Sequence, residues 1–522
     1  MFQTRRGCSV SAAVAACVLF SCCARLTAQG PASGETRAAR AFEEARKEGP
    51  AALRVFLYRM PKGGDLHNHL GGAVYAETFI REAGELGICV NAAQLRMDAK
   101  SHAPNCPPHE SAAKDVTANQ HLYDALIDAF SMRTFVPVTG ESGHDHFFDT
   151  FGRFGDDKLF TGEWIDETAT RAAAQNEQYL ELMQTPLFQS AAQVAEKLGW
   201  SGDRTGDLAQ MTEKLLGDDS FRANVQSASA ELARALKSRD ALEHCGQPDA
   251  HPGCSVTVRF LYQVLRGLPP EQVFAQTLLG FEVASADPDV VGINFVMPED
   301  GYISMRDYAL QMHMLDYLHG RYPNVHITLH AGELSEGMVP PDGLKFHIRM
   351  AVEQGHAERI GHGVDVMYED RPWELMKEMA ERHTMVEVNL TSNDVILNVK
   401  GNEHPFMLYR KAGVPVALST DDEGVSRIDL THEYVRAADT YPLSYHDLKL
   451  LVRTSIEHSF LPGASVWERV TPEKLEAPVA ACRGQLGGEN PKGDCAALVR
   501  SSEKAQQEWE LERRFHAFEA GY

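Results

Sequence analysis

Val325-His326-Ile327-Thr328-Leu329-His330-Ala331-Gly332-Glu333 is an apolar run that ends on a histidine and then, past a glycine, on a glutamate. A run this short, set between longer helical patterns, reads as a buried strand. The same kind of run returns at Tyr179 to Met183, Val256 to Val264, Val290 to Val296, Met385 to Leu390 and Val414 to Leu418. Strands alternating with helices predict an α/β chain of βα units around a parallel sheet. In a barrel of such units the chemistry sits at the C-terminal strand ends, where His330 and Glu333 fall.

The chain has 522 residues, long for one ordinary domain but within reach of a barrel with insertions. Its 43% hydrophobic and 24% charged content is that of a globular protein able to bury a large core. The net charge of -23 reads as a solvated surface, and no Lys/Arg cluster beyond the extreme N-terminus suggests a nucleic-acid partner.

Residues 1–28 have a different layout. Arg5 and Arg6 precede an apolar run from Val10 to Phe20, and small residues follow. That is the pattern of a secretory leader, with cleavage expected after Ala28 and export to the periplasm or outside. The apolar stretch is too short to span a bilayer, and no later segment reads as transmembrane. Leu19-Phe20-Ser21-Cys22 loosely resembles a lipidation box, a second option that ranks below plain secretion because Phe20 is unusual there. Beyond the leader, six cysteines fall into three local pairs, Cys89 with Cys106, Cys245 with Cys254 and Cys482 with Cys495. Each pair brackets a polar stretch as a loop-stapling disulfide would, although six cysteines allow about 15 connectivities.

Residues 29–60 read as a helical extension with Phe42, Ala45, Leu53 and Phe56 as buried positions and Pro61 as its stop. Residues 90–118 and 200–255 read as insertions, and 466–522 as a polar tail with a helix from Glu503 to Ala520.

Four short motifs carry the chemistry. In Asp65-Leu66-His67-Asn68-His69-Leu70 the two histidines share one face of a strand and can grip one metal ion. The second is His330 with Glu333, a carboxyl that can act as a general acid if shielded from water. The third, Arg359-Ile360-Gly361-His362-Gly363, reads as a tight turn around an imidazole. The fourth, Ser419-Thr420-Asp421-Asp422, sets two carboxylates side by side after a strand, which repel unless a cation offsets them.

In this order the four motifs resemble the adenosine deaminase family of the metal-dependent amidohydrolases. Met60 to His67 looks most like its secreted, growth-factor type. Phe147-Phe148-Asp149-Thr150-Phe151 resembles the substrate-pocket helix, and His458-Ser459-Phe460-Leu461 the segment after the double Asp. The resemblance implies a (β/α)8 TIM barrel over residues 61–465 with a helical N-terminal extension and loop insertions. It implies one Zn2+ held by His67, His69, His330 and Asp421. It gives Glu333 the role of acid toward ring N1, His362 that of orienting the attacking water, and Asp422 a bond near N7. Met297, Gly332, Phe148 and Phe151 join Asp422 as substrate contacts. The implied reaction converts adenosine or 2'-deoxyadenosine to inosine and ammonia, with a purine nucleoside as partner and a homodimer possible through the N-terminal helices.

Three positions depart from the family pattern. Gly71 stands where an Asp commonly meets the ribose, Met297 where a Gly closes the G-x-D-L-x-G segment, and Glu423 where a Pro follows the double Asp. They keep open a deaminase of another or modified purine. A non-catalytic extracellular purine-binding or signalling protein is the reading from a different class.

Overall fold

The structure, a computed structural model, describes residues 33–154, 158–200, 207–468 and 477–522. The leader, with Cys22, lies outside them. Strands β1 (Gly63–His69), β5 (Glu177–Gln184), β6 (Thr257–Leu265), β7 (Val290–Val296), β8 (His326–Ala331), β9 (Arg359–His362), β10 (Met385–Val388) and β11 (Val416–Leu418) form one sheet in that order. Every neighbouring pair in it is parallel. The sheet closes on itself just past β11. There the His69 amide donates to the Asp421 carbonyl (3.2 Å) and the Asp421 amide donates to the His67 carbonyl (2.8 Å). The barrel is therefore joined at two of the expected metal-ligand segments. Helices cover its outer face, so both sides of strands such as Val290–Val296 are packed, and five of the seven residues of that strand are β-branched or aromatic.

Two expectations change. Within the extension, the helix expected over 34–60 is two helices, Gly34–Glu48 and Pro50–Arg59. Gly49, at φ 109°, makes the break, and Pro50 starts the second helix where its missing N–H costs nothing. Phe42, Leu53 and Phe56 are buried and Ala45 is half-buried. Phe56 packs on Phe42, Tyr445 and Phe518, so the apolar faces of these helices are spent within the chain. The second is Arg359-Ile360-Gly361-His362, which forms strand β9; the tight turn around the imidazole comes at its end, where the Gly363 amide donates to the Gly361 carbonyl (3.0 Å). Four residues with an arginine at their head carry no strand period. Arg359 is nonetheless buried inside the barrel, ion-paired to Glu181 (2.6 Å) and Glu387 (2.7 Å). Gly361 is small because a Cβ there would lie 2.6 Å from the His67 ring.

The segment 90–118 belongs to a small antiparallel sheet of β2 (Ile88–Asn91), β3 (Arg96–His102) and β4 (Glu110–Ala112), stapled by Cys89–Cys106. Helices Leu208–Gly217 and Asp219–Leu242 extend the crossover from β5 to β6, and Cys245–Cys254 staples the loop after them. Cys482–Cys495 holds the C-terminal tail, which ends in helix Glu503–Ala520. All three local pairings are formed. No helix among the described residues is long and apolar enough to cross a membrane.

Candidate active site

The ends of β1, β8 and β11 bring His67, His69, His330 and Asp421 to one point, all buried. The His330 Nε2 lies 3.1 Å from the Nε2 of both His67 and His69. Asp421 Oδ1 lies 3.4 Å from His67 Nε2 and 3.2 Å from His69 Nε2. Zinc bonds of about 2.0–2.1 Å at tetrahedral angles place ligand atoms roughly 3.3 Å apart, so the donor set fits such an ion. The orientation of the imidazoles fits as well. His67 Nδ1–H donates to Glu387 (2.6 Å), His69 Nδ1–H to Gln263 (2.6 Å) and His330 Nδ1–H to Asn294 (3.1 Å). Each bond fixes the tautomer that turns Nε2 inward. Burial disfavours charge on His67, but Asp421 and Glu387 outweigh it and push the imidazole up to about 10. The cluster calls for positive charge at its centre.

Beside the cluster stand Glu333 and His362, with His362 Nε2 3.6 Å from Glu333 Oε1. Burial, and then the carboxylates of Asp421 and Glu299, hold the Glu333 carboxyl well above its usual range. These surroundings favour the protonated form. Burial lowers His362 to about 3, so its ring is neutral, and a relay sets its tautomer. The Phe406 amide donates to His404 Nδ1 (3.1 Å), which leaves the proton of that ring on Nε2. His404 Nε2–H donates to Asn393 Oδ1 (2.9 Å), and Asn393 Nδ2 donates to His362 Nδ1 (2.9 Å). His362 therefore carries its proton on Nε2, a buried atom with no hydrogen-bond partner among the described residues. Backbone strain collects here too. Met297, His362 and Asp421 have φ of 100°, 69° and 62°, conformations that persist only where surrounding contacts enforce them.

A cavity of about 730 Å3 opens over this cluster. His69, His330, Glu333, Asp421, Asp422, Met297, Phe148 and Phe151 line it, while His67 and His362 sit behind. Gly332, expected as a substrate contact, is not in the lining. Its amide and that of Glu333 donate to the two oxygens of Glu299 (3.0 and 2.7 Å), pinning the turn that aims Glu333. Burial works to raise Glu299, but His347 and Arg266 outweigh it and hold the carboxylate at about 2. Met297 turns its sulfur back onto the Gly267 amide (3.3 Å), so its bulk lies against a glycine. Gly72 leaves room for Asp422, whose Oδ1 a Cβ at that position would overlap. Glu423 faces away from the cavity, accepting from Arg171 (2.9 Å) and Asn68 (3.2 Å).

Glu387, Gln263, Asn294, Glu299, Asn393, His404 and Ser392, which donates to Asp421 Oδ2 (2.6 Å), were not singled out from the motifs. For three of them a signal exists: Gln263, Asn294 and Glu387 are lone polar residues inside apolar strand runs. In a strand buried on both faces such a residue needs a partner.

Residues 224–468 match the family described as Adenosine deaminase. Over that stretch the chain is similar to the adenosine deaminase family. It is 34% identical over 138 residues to an adenosine deaminase of Clostridium perfringens, covering 26% of this chain and 37% of that one. It is 35% identical over 153 residues to an adenosine deaminase of Escherichia coli, covering 29% of this chain and 42% of that one. The matches thus span about two fifths of the length of these relatives. An amidohydrolase from Burkholderia ambifaria, solved with bound Zn, is 17% identical with a TM-score of 0.50, over 90% of this chain and 95% of that one. That likeness is one of fold.

Proposed function

We propose that the chain is a zinc-dependent hydrolase that removes the 6-amino group of adenosine-type nucleosides, giving the 6-oxo purine and ammonia. The observation that carries this reading is the set of four ligand atoms, with His330 Nε2 and Asp421 Oδ1 each 3.1–3.4 Å from the Nε2 of His67 and His69, beside a buried carboxyl and a tautomer-fixed imidazole. Three nitrogens and one oxygen suit zinc, the ion bound by the Burkholderia amidohydrolase of the same fold. When bound, zinc supplies Lewis acidity that makes water a nucleophile near neutral pH.

The residues do the rest. Protonated Glu333 donates to the ring nitrogen beside the amino-bearing carbon, drawing electrons away from that carbon. His362 Nε2–H donates to the attacking oxygen and steadies the charge that develops on it. Asp422, whose Oδ1 is buried without a partner, accepts from the base or the attacking oxygen. Met297, Phe148 and Phe151 flank the base. Asp421 and the three histidines are the metal ligands. The leader pattern and the three disulfides support export and the secreted type of the family. The test is inosine formation from adenosine by purified protein, measured after chelation and again after zinc is restored. The expected result is activity lost and then regained; activity indifferent to chelation with no zinc bound would refute the proposal.

A further inference from the structure

The catalytic groups hold the amino-bearing edge of the base, so the sugar must fill what remains of the cavity. That remainder is built by the β1–β5 crossover and the segment after β5: Gly71, Phe79, Phe154, Trp164, Leu187 and Phe188. Phe79 stacks on Phe154 at 4.3 Å and Trp164 meets Phe79 edge-on at 5.6 Å, so the aromatic wall is continuous. Gly71, in the short helix Leu70–Ala73 that follows β1, brings no side chain, and a Cβ there would meet nothing within 4 Å.

The polar atoms on this side are largely engaged. Trp164 Nε1 donates to Glu82 (3.0 Å), and Gln263 is held by His69 and donates to Thr185 (3.1 Å). Gln184 Nε2 is buried without a partner among the described residues, but it is a donor. A sugar hydroxyl placed there meets only neutral amides, Gln184 and the exposed Gln189, whose hydrogen bonds replace those it gives up to water with little net gain. None of the lining residues is Lys or Arg, three are carboxylic acids, and the chain carries -23 charges, so a phosphate finds no counter-charge.

Resting on the deaminase reading, we infer that the preferred substrates are adenine nucleosides whose 5′ position carries an apolar, uncharged substituent in place of the hydroxyl or a phosphate. The wall takes the substituent and Gly71 gives it room. The reaction is unchanged: water adds at the 6-carbon, the C–N bond to the amino group breaks, and ammonia leaves with the proton it needs.

The test compares kcat/KM for adenosine, 5′-deoxyadenosine, 5′-deoxy-5′-(methylthio)adenosine and AMP on the zinc-loaded chain. Each buried methylene-sized group is worth about fourfold, so the methylthio compound should exceed 5′-deoxyadenosine by roughly tenfold. It should exceed adenosine by at least as much, with AMP last. In Gly71→Asp, a site with open space around its Cβ, the order of adenosine and the methylthio compound should reverse. Leu187→Gln, at a side 46% exposed, should erode the methylthio preference without disturbing the core. Adenosine or AMP matching or exceeding the methylthio compound in the natural chain overturns the inference. If no compound releases ammonia, the deaminase reading fails and binding decides. Calorimetry should then find 5′-deoxy-5′-(methylthio)inosine bound about tenfold tighter than inosine, and equal or weaker binding overturns the inference.

Discussion

The two sides of the cavity are built on different rules. On the side of the strand ends, each of the three imidazoles is fixed by a second group, and the turn that carries Glu333 is pinned by Glu299 through two backbone amides. On the side of the β1–β5 crossover the lining is aromatic and aliphatic, and its few polar atoms mostly serve their neighbours. In the proposed function the strand ends set the reaction type, and selectivity falls to crossovers that differ in length and composition. The contrast can be broken from either side.

The largest effect is expected from His330→Ala. It removes the ligand nearest to both other imidazoles, so zinc content should fall toward zero and activity to background. Metal analysis of the purified variant checks it, and full occupancy would break the strand-end half of the contrast. Glu387→Gln is milder. It keeps the shape of the side chain but removes the charge that holds His67 Nδ1–H and Arg359, so zinc affinity should drop by about 10–100-fold in a chelator competition. His404→Gln should leave zinc in place and lower kcat by roughly tenfold, because the relay that keeps the His362 proton on Nε2 is interrupted. Equal kcat with and without His404 would show that the relay does not govern the tautomer.

The smallest effect lies behind the apolar wall. Burial, against the Trp164 hydrogen bond, raises Glu82 from 4.5 to about 8. A carboxyl raised on folding contributes stability below its unfolded value that is lost as pH rises through its folded value. Stability should therefore decline between about pH 4.5 and 8, and Glu82→Gln, which cannot ionise, should flatten that decline. Melting temperatures of the two proteins across the range test it; parallel curves would contradict the assignment.

Much of the strand-end side was legible in the sequence because its chemistry-bearing residues come in compact groups, His67-x-His69, His330 to Glu333 and Asp421-Asp422. The supporting residues were harder to see. Glu387 is 320 positions from the histidine it orients, and nothing in a linear pattern joins them. Strand β9 was hidden because its first residue is an arginine, which the barrel interior holds with Glu181, Glu387 and the face of Phe460 at 3.9 Å. His458-Ser459-Phe460-Leu461 was legible as a motif, yet its contact with Arg359 was not: the His458 carbonyl accepts from that guanidinium (3.0 Å). The crossover wall was the least legible part. Phe79, Phe154 and Trp164 lie on separate segments and read one by one as ordinary core; only Gly71, by lacking a side chain, hinted that the sugar end departs from the family pattern.

The most direct test of the strand-end account is Glu333→Gln, measured for zinc content and for turnover of adenosine on the same preparation. The amide keeps the size of the side chain and, unlike the protonated carboxyl, has no acidic proton to give to the ring nitrogen. The account predicts one zinc per chain, as in the natural protein, with kcat lower by a factor on the order of 10²–10⁴. Turnover within a few-fold of the natural chain at equal zinc content would contradict it, because the proton would then come from a group other than Glu333.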